Sequence, residues 1–561
     1  MGISTCINTC SKREKEENSL NAQYFIEENP ISIPQSTLDI KVKTSNFIVQ
    51  RNDSKVYEAY EKLQFLGEGS FGSVYKVRRK NSGQREIIRA MKEISKEKMC
   101  LNEENSQEIR NEISVLKNLD HPNIMKIYEF YEDKENMYLI TEFCGGDVSN
   151  IQDKYGVFPE FLVKYIMYQV FMAITFFHSN KIVHTDIKRE NISFFYRDEK
   201  KEKKYIDDFL EKFFTDKEIT EELINSSGLE NLSETSSAVA RELSNFDVKI
   251  LDFGSAKKKI NRSHLSGVTG TVYYCSPEIV NDKYDFECDE WACGVMMYIL
   301  FVAEPPFQGE SEEEIFSKIL KDEPNLDVEA LNDVSDNCKD LIKKLLEKDS
   351  KKRIKACDAL KHPFFTNGIN IGNLFKGKYK ENNEILKSFY KRKTQEIQEK
   401  KGSKFRDMVM AYITLNFSEK EEEKKARKIF MEMSGGDNHF LIRKNTFVKR
   451  LNSIYKNESK EKIEELFDSI DEDKSGNIEY EELIRALTDK NKLLTDKNLK
   501  DAFGFFDKDK NGSISWNEIA EVIYPDGQIP KQIMKDFMKE IGEKDEDKEI
   551  TFEQFKKILT E

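Results

Sequence analysis

From residue 57 the chain alternates apolar and polar positions around glycines, in YEKLQFLGEGSFGSVYKVRRK, and this pattern predicts strand, tight turn and strand. SQEIRNEISVLKNL then brings its apolar residues round at helical spacing, and FLVKYIMYQVFMAITFFH, residues 161 to 178, predicts a long buried helix. A small β-rich lobe followed by a larger helical one makes an α+β class. Residues 1–56 are polar and irregular, with Pro30 and Pro34, and are expected to form a tail. Residues 196–246 interrupt the helical order: they open on YRDEKKEKK, carry Tyr205, Phe209 and Phe213 at every fourth position, and end in a serine-rich run. The expectation there is a solvated spacer inserted in a surface loop, with an amphipathic helix as the alternative.

Residues 366–424 form a basic junction. Within it Phe405, Met408, Val409, Tyr412 and Ile413 fall on one helical face, with Lys404 and Arg406 off that face. Such a basic amphipathic helix is patterned like a calmodulin target. The remainder, residues 425–561, is acidic, helical and repetitive.

The formal net charge of -14 argues against nucleic acid as a partner, since phosphate binding needs a surplus of Lys and Arg. Nine cysteines without CxxC spacing suggest free thiols in a reducing, cytoplasmic setting. No stretch is expected to cross a bilayer; the best, WACGVMMYILFVA at 291–303, falls short of roughly 18 apolar residues. The first residues lack a secretory apolar region. They read MGISTC, where Gly2 suits N-myristoylation although Cys6 stands where Ser or Thr is usual. Cys6 and Cys10 offer thiols for a second acyl chain, and two chains would hold the protein at a membrane surface.

The chemistry-bearing residues come in a telling order. Gly67, Gly69 and Gly72 sit between the first two strands, where glycines let N–H groups close over phosphate oxygens; alone, a tight hairpin explains them equally well. Lys92 on the next predicted strand can neutralise phosphates, and Glu112 on the following helix can hold that lysine. HTDIKREN, 184 to 191, places Asp186 to accept a proton from a substrate hydroxyl, Lys188 to meet the transferring phosphate, and Asn191 to ligate Mg²⁺. Asp252, in Asp-Phe-Gly, supplies the second Mg²⁺ ligand. GTVYYCSPE, 270 to 278, positions a peptide, with Ser276 for the usual Ala and Arg353 as the expected ion-pair partner of Glu278.

In this order the motifs resemble eukaryotic protein kinases over residues 60–365, within a domain of 57–365. The resemblance implies a two-lobed fold and ATP as donor, with Leu66, Val74 and Glu142 joining the glycines and Lys92 around the nucleotide. Lys188 with Gly270-Thr271 resembles the Ser/Thr class. Asp147 and Glu190 stand where related kinases contact a basic residue three before the phosphoacceptor; either could be merely solvated, and Asp147 could instead meet the ribose. Thr185 replaces the Arg that pairs with a phosphorylated activation loop in the family, so that switch is expected to be weak or absent while the chemistry is kept. Arg189 replaces the usual Pro. A rival reading, a catalytically inactive calcium-responsive scaffold, draws on these two changes and the insertion.

Two twelve-residue loops match the EF-hand pattern. DEDKSGNIEYEE, 471–482, offers Asp471, Asp473, Ser475, the carbonyl of Asn477, Glu479 and Glu482; DKDKNGSISWNE, 507–518, offers Asp507, Asp509, Asn511, Ser513, Ser515 and Glu518. Gly476 and Gly512 make the sharp turns, and Ile at position eight suits the short strand joining paired loops. The same 36-residue step reaches GGDNHFLIRKNT at 435–446 and EKDEDKEITFEQ at 543–554, so four EF-hands in two pairs are expected. The outer loops are degenerate; the fourth keeps Asp545 and Asp547 and is left open to weak Ca²⁺ binding.

Kinase, basic junction and four EF-hands in one chain resemble the calcium-dependent protein kinases of plants and protists. That resemblance implies an all-α calmodulin-like domain after the kinase. It also implies a junction that occupies or distorts the kinase at rest, and Ca²⁺-opened EF-hands that grip the junction and free the site.

Overall fold

The computed structural model describes residues 50–52, 56–69, 72–80, 86–97, 103–196, 209–211, 213–226, 231–243, 246–259, 264–267, 271–375, 379–398, 404–418, 420–434, 441–472, 474–523 and 549–560. Gly2, Cys6, Cys10, Tyr205, Gly270, Asp473, and the parts of the outer EF-hand loops at 435–440 and 543–548 lie outside them.

The small lobe is a six-stranded sheet in the spatial order Gln50–Asn52, Ile127–Glu132, Asn136–Thr141, Ile88–Ser95, Gly72–Arg79 and Tyr60–Gly69. The glycine-rich hairpin is borne out, with Gly69 opposite Gly72. Gly72 is glycine for a packing reason as well: a Cβ there would lie 1.9 Å from the Glu93 carbonyl oxygen on the neighbouring strand. The lobe starts before residue 57. Gln50–Asn52 adds a parallel edge strand to Ile127–Glu132, and Val56 is fully buried.

The large lobe is built around helices Glu160–Ser179 and Glu287–Val302, which are almost wholly buried. The first is long and apolar enough to cross a membrane by length and composition, which corrects the expectation from sequence, yet 83% of its apolar window lies inside the protein. It is a core helix because its polar members, such as Gln169 and Thr175, are themselves buried among other elements.

The insertion is not a solvated spacer. Strands Ile192–Tyr196 and Phe246–Ile250 pair antiparallel, and the insertion is the loop of that hairpin. Its described residues include helices Lys217–Asn225 and Glu234–Leu243, whose Ile219, Leu223, Val239 and Leu243 are buried. Phe213 is buried and Phe209 stacks on Phe246 with centroids 5.0 Å apart. The Tyr165 hydroxyl donates to the Leu243 carbonyl at 2.7 Å, tying the second inserted helix to the core helix. Two amphipathic stripes, each too short to stand alone, find their partner in the lobe.

The junction forms helices Tyr379–Gln398 and Lys404–Phe417. Beyond it, Ile442 pairs with Ile478 and Ile514 with Ile550, each at position eight of its loop. Among the described residues the loops are therefore joined in two pairs, the arrangement that four EF-hands in two pairs requires. No two cysteines form a disulfide among the described residues.

Candidate functional site

Strand Ile88–Ser95 carries Lys92, whose Nζ lies 2.9 Å from Glu112 Oε2. Burial pushes the Glu112 carboxyl up from its ordinary value; Lys92 opposes this, while Asp252 adds to it. Asp252 is held low: burial works against its charge, but Lys92 and the Gly254 N–H outweigh that. Its backbone is left-handed, at φ +55, the sort of turn a non-glycine residue adopts where surroundings enforce it.

The catalytic loop is internally bonded. Asn191 Nδ2 donates to the Asp186 carbonyl at 2.8 Å and to Asp186 Oδ2 at 3.0 Å. Lys188 Nζ lies 2.7 Å from Asp186 Oδ2 and donates to Thr271 Oγ1 at 3.1 Å. The Leu251 N–H donates to the Asn191 carbonyl at 2.8 Å, so the chain brings Asn191 beside Asp252. A carboxylate and an amide oxygen so placed, next to Lys92, fit a hard divalent cation with a polyphosphate.

The two altered letters of the loop have defined partners. Thr185, with φ +68, takes Asp289 Oδ1 on its N–H at 2.8 Å and gives its hydroxyl to the Ser255 carbonyl at 2.9 Å. Arg189 Nη1 donates to Gln152 Oε1 at 2.7 Å. Further along, Lys257 Nζ donates to the Tyr284 hydroxyl at 2.7 Å, and His264 Nδ1 lies 2.9 Å from Asp285 Oδ2. Arg353 Nη2 donates to Glu278 Oε2 at 3.0 Å, as expected.

Around the nucleotide position the residues divide. Val74 sits opposite Lys92 in register, Leu66 is exposed, and Gly67 has open space about it. Glu142 turns its carboxylate to Lys249 Nζ at 2.8 Å, both nearly buried, and its N–H donates to the Lys126 carbonyl at 2.9 Å, so its side chain serves an ion pair rather than the nucleotide position. Asp147 caps helix Val148–Tyr155, accepting from the Asn150 N–H at 2.8 Å. Glu190 is exposed, 3.7 Å from the Arg189 guanidinium.

In the second EF-hand, Asp471 Oδ2 accepts from the Gly476 N–H at 2.8 Å, and Glu482 accepts from Glu472 and Glu479 N–H groups at 2.9 Å each. The third repeats this: Asp507 Oδ2 accepts from Gly512 at 3.1 Å, and Glu518 accepts from Lys508 and Ser515 at 2.7 Å each. Gly476 and Gly512 have φ of +81 and +90, the turn geometry that glycine permits. Carboxylate oxygens of Asp507, Asp509 and Glu518 lie within 4.8 Å of one another, a donor set that fits calcium. Ser475, Asn477, Glu479, Asn511 and Ser513 occupy the intervening positions of the same turns.

The junction helix joins both halves. Phe405, Met408, Val409, Tyr412 and Ile413 are each no more than 2% exposed. Tyr412 stacks on Phe505 at 4.3 Å, and Phe405 meets Phe555 edge-on at 6.0 Å, so the third and fourth EF-hands hold this face. From the kinase sheet, Arg79 donates to Asn416 Oδ1 at 3.2 Å and to the Tyr412 hydroxyl at 3.4 Å. The preceding helix gives Arg392 to the Leu487 carbonyl at 2.7 Å, in the second EF-hand. Arg427, on the entry helix Lys420–Met433, pairs with Asp247 and donates to Gln169 Oε1 at 3.0 Å in the large lobe. Arg79 and Arg427 carry no sequence signal, since their partners lie hundreds of residues away or on unrelated strands.

A protein kinase domain model matches residues 60–222 and 238–365, and an EF-hand domain pair model matches 460–524. Calcium-dependent protein kinase 5 of Plasmodium falciparum is 31% identical over 509 residues, covering 87% of this chain and 78% of that protein. The chain belongs to the calcium-dependent protein kinase family. Calcium-dependent protein kinase 4 of Plasmodium falciparum aligns over 99% of this chain and 98% of its own length at 28% identity. Calcium-dependent protein kinase 3 of Plasmodium yoelii yoelii is 34% identical over 76% of this chain and 68% of its own. As a member of this family the chain is a calcium-activated Ser/Thr protein kinase, using ATP with a divalent metal and acting on protein substrates. Nothing in the site favours the inactive scaffold.

Proposed function

We propose that this calcium-dependent protein kinase works through Mg²⁺ held by Asn191 and Asp252 and prefers Ser or Thr following a basic residue at the third position before it. The Lys92–Glu112 ion pair carries the reading, because it places an ammonium where the donor's phosphates enter. Asp186 orients the acceptor hydroxyl and takes its proton on Oδ1 or Oδ2. Lys188 balances charge on the group in transfer, and Thr271 fixes Lys188. When bound, Mg²⁺ supplies charge neutralisation to the phosphate oxygens. Release of the catalytic cleft is assigned to the EF-hand grip on the face from Phe405 to Ile413.

The sequence MGISTC supports a cytoplasmic enzyme drawn to a membrane by acyl groups on Gly2 and Cys6. A mature N-terminus without a myristoyl group in mass spectrometry removes that part.

The deciding experiment measures phosphate transfer to a peptide containing Arg-x-x-Ser, with calcium chelated and then restored, using Asp186→Asn as control. Transfer that needs calcium and falls at least about a thousandfold in the variant is expected, since aligned acid–base and positioning effects are lost together. A folded, ATP-binding protein with no transfer in either condition overturns the reading.

A further inference from the structure

Both carboxylates assigned to the basic substrate residue already have partners within the chain. Asp147 is engaged by the Asn150 N–H as a helix cap, and by the Asn150 side-chain amide. Glu190, exposed on the catalytic loop, has the Arg189 Nη2 at 3.7 Å from its Oε1. Arg189 is not a loose surface cation: its side chain is 20% exposed, and Nη1 donates to Gln152 Oε1 at 2.7 Å. Gln152 is buried and anchored in turn, giving Nε2 to the Ile299 carbonyl at 2.7 Å. The guanidinium is therefore fixed by the large lobe, one residue from Glu190. It also faces the peptide-positioning segment: burial holds the Tyr274 phenol up, to about 12, with Glu190 adding to that and Arg189 opposing it.

We propose that Arg189 is a specificity-determining residue that neutralises Glu190 and repels an incoming substrate cation, so the enzyme accepts neutral as well as basic residues three before the phosphoacceptor. This rests on the reading above that Glu190 meets that substrate position. An exposed ion pair contributes little by itself. A fixed positive charge beside the recognising carboxylate nevertheless subtracts directly from the attraction felt by a second cation, because both act over the same few ångströms. A proline at this position would carry no such charge. Arg189 touches no reacting atom and sets preference rather than rate.

The test compares kcat/KM on two peptides that differ only in Arg or Ala three before the serine, with the full chain in calcium. The wild-type ratio is expected to stay below about tenfold. Arg189→Gln should raise it roughly threefold to tenfold by removing the charge at similar length, whereas Arg189→Lys should leave it near the wild-type value. An unchanged ratio in Arg189→Gln, or an equal rise in Arg189→Lys, overturns the proposal. Glu190→Gln separates it from the underlying reading. If that variant leaves the ratio unaltered, the basic-residue reading fails and takes the inference with it. If it lowers the ratio while Arg189→Gln does not raise it, only the inference falls. A measurement on the unaltered protein guards against misfolded variants. With Glu190 neutralised internally, the ratio should change less than about twofold between about 0.05 and 0.5 M salt, and a fall of more than about fivefold contradicts neutralisation.

Discussion

The hydroxyl of Thr185 donates to the carbonyl oxygen of Ser255 at 2.9 Å, joining the catalytic loop directly to the residue after Asp-Phe-Gly. Where the family carries an arginine awaiting a phosphorylated partner, this chain has a direct hydrogen bond, and further along the same segment Lys257 donates to Tyr284 and His264 meets Asp285. Phosphatase treatment should therefore change calcium-activated turnover by less than about twofold. Thr185→Val leaves a carbonyl without its donor and should cost about 1–3 kcal/mol of stability in denaturant titration. A tenfold loss of activity on dephosphorylation would show that a phosphate, not Thr185, orders the segment.

Calcium control depends on both well-formed loops. Moving a two-state equilibrium from 1:99 to 99:1 needs about 10⁴-fold differential affinity, roughly 5.5 kcal/mol. Two sites reach this at about a hundredfold each, and either one alone falls far short. Glu482→Ala and Glu518→Ala should each leave only a small part of the calcium-dependent activity, read as peptide phosphorylation against free calcium. Normal activation in both single variants sinks the two-site account.

Tyr412 is the residue whose loss should loosen the grip most, since it is buried, stacks on Phe505 and receives a hydrogen bond from Arg79. Removing a large buried ring costs about 3–5 kcal/mol. Shared between two calcium ions, that corresponds to a rise of roughly tenfold to sixtyfold in the calcium midpoint for Tyr412→Ala. Arg79→Ala should shift the midpoint in the same direction by less. Isothermal titration of calcium alongside the activity curve checks that binding and activation move together.

His178 makes part of the stability of the folded kinase lobe depend on pH. Burial works against its charge, yet Glu290 and the hydrogen bond to Asp289 outweigh it and raise the pKa from 6.5 to about 9. A group raised on folding stabilises most when protonated in both states, so its contribution is full below pH about 6.5 and disappears as pH rises through about 9. Because the Asp289 carboxylate also receives the N–H groups of His184 and Thr185, the catalytic loop shares in this. The difference in thermal midpoint between wild type and His178→Gln should be largest near pH 6 and shrink towards pH 9.5. A difference independent of pH would mean that the imidazole is neutral in the fold.

The kinase motifs were legible because phosphoryl transfer needs particular residue types in one order, and the EF-hands because a ligand pattern repeats with a 36-residue step. Ile at position eight of the two full loops announced the short strands that join them to their neighbours, Ile478 to Ile442 and Ile514 to Ile550. What escaped the sequence was decided by contacts distant along the chain. The inserted helices look solvated until the lobe buries Phe213 and Leu243. Glu142 seems to belong to the nucleotide until Lys249 claims its carboxylate. The strand Gln50–Asn52 has no periodicity of its own and exists because Ile127–Glu132 offers an edge. Helix Glu160–Ser179 is hydrophobic enough for lipid, and only its neighbours show that it is a core element.

Because Arg79, Tyr412 and Phe505 belong to one polypeptide, the sensor never has to find its target in solution. Tethering of this kind presents the helix to its clasp at an effective concentration of the order of millimolar. The response to a calcium pulse is then first-order in enzyme. A cell holding few copies answers at the same calcium level, and as promptly, as one holding many, whereas a kinase relying on a separate sensor protein loses its signal on dilution.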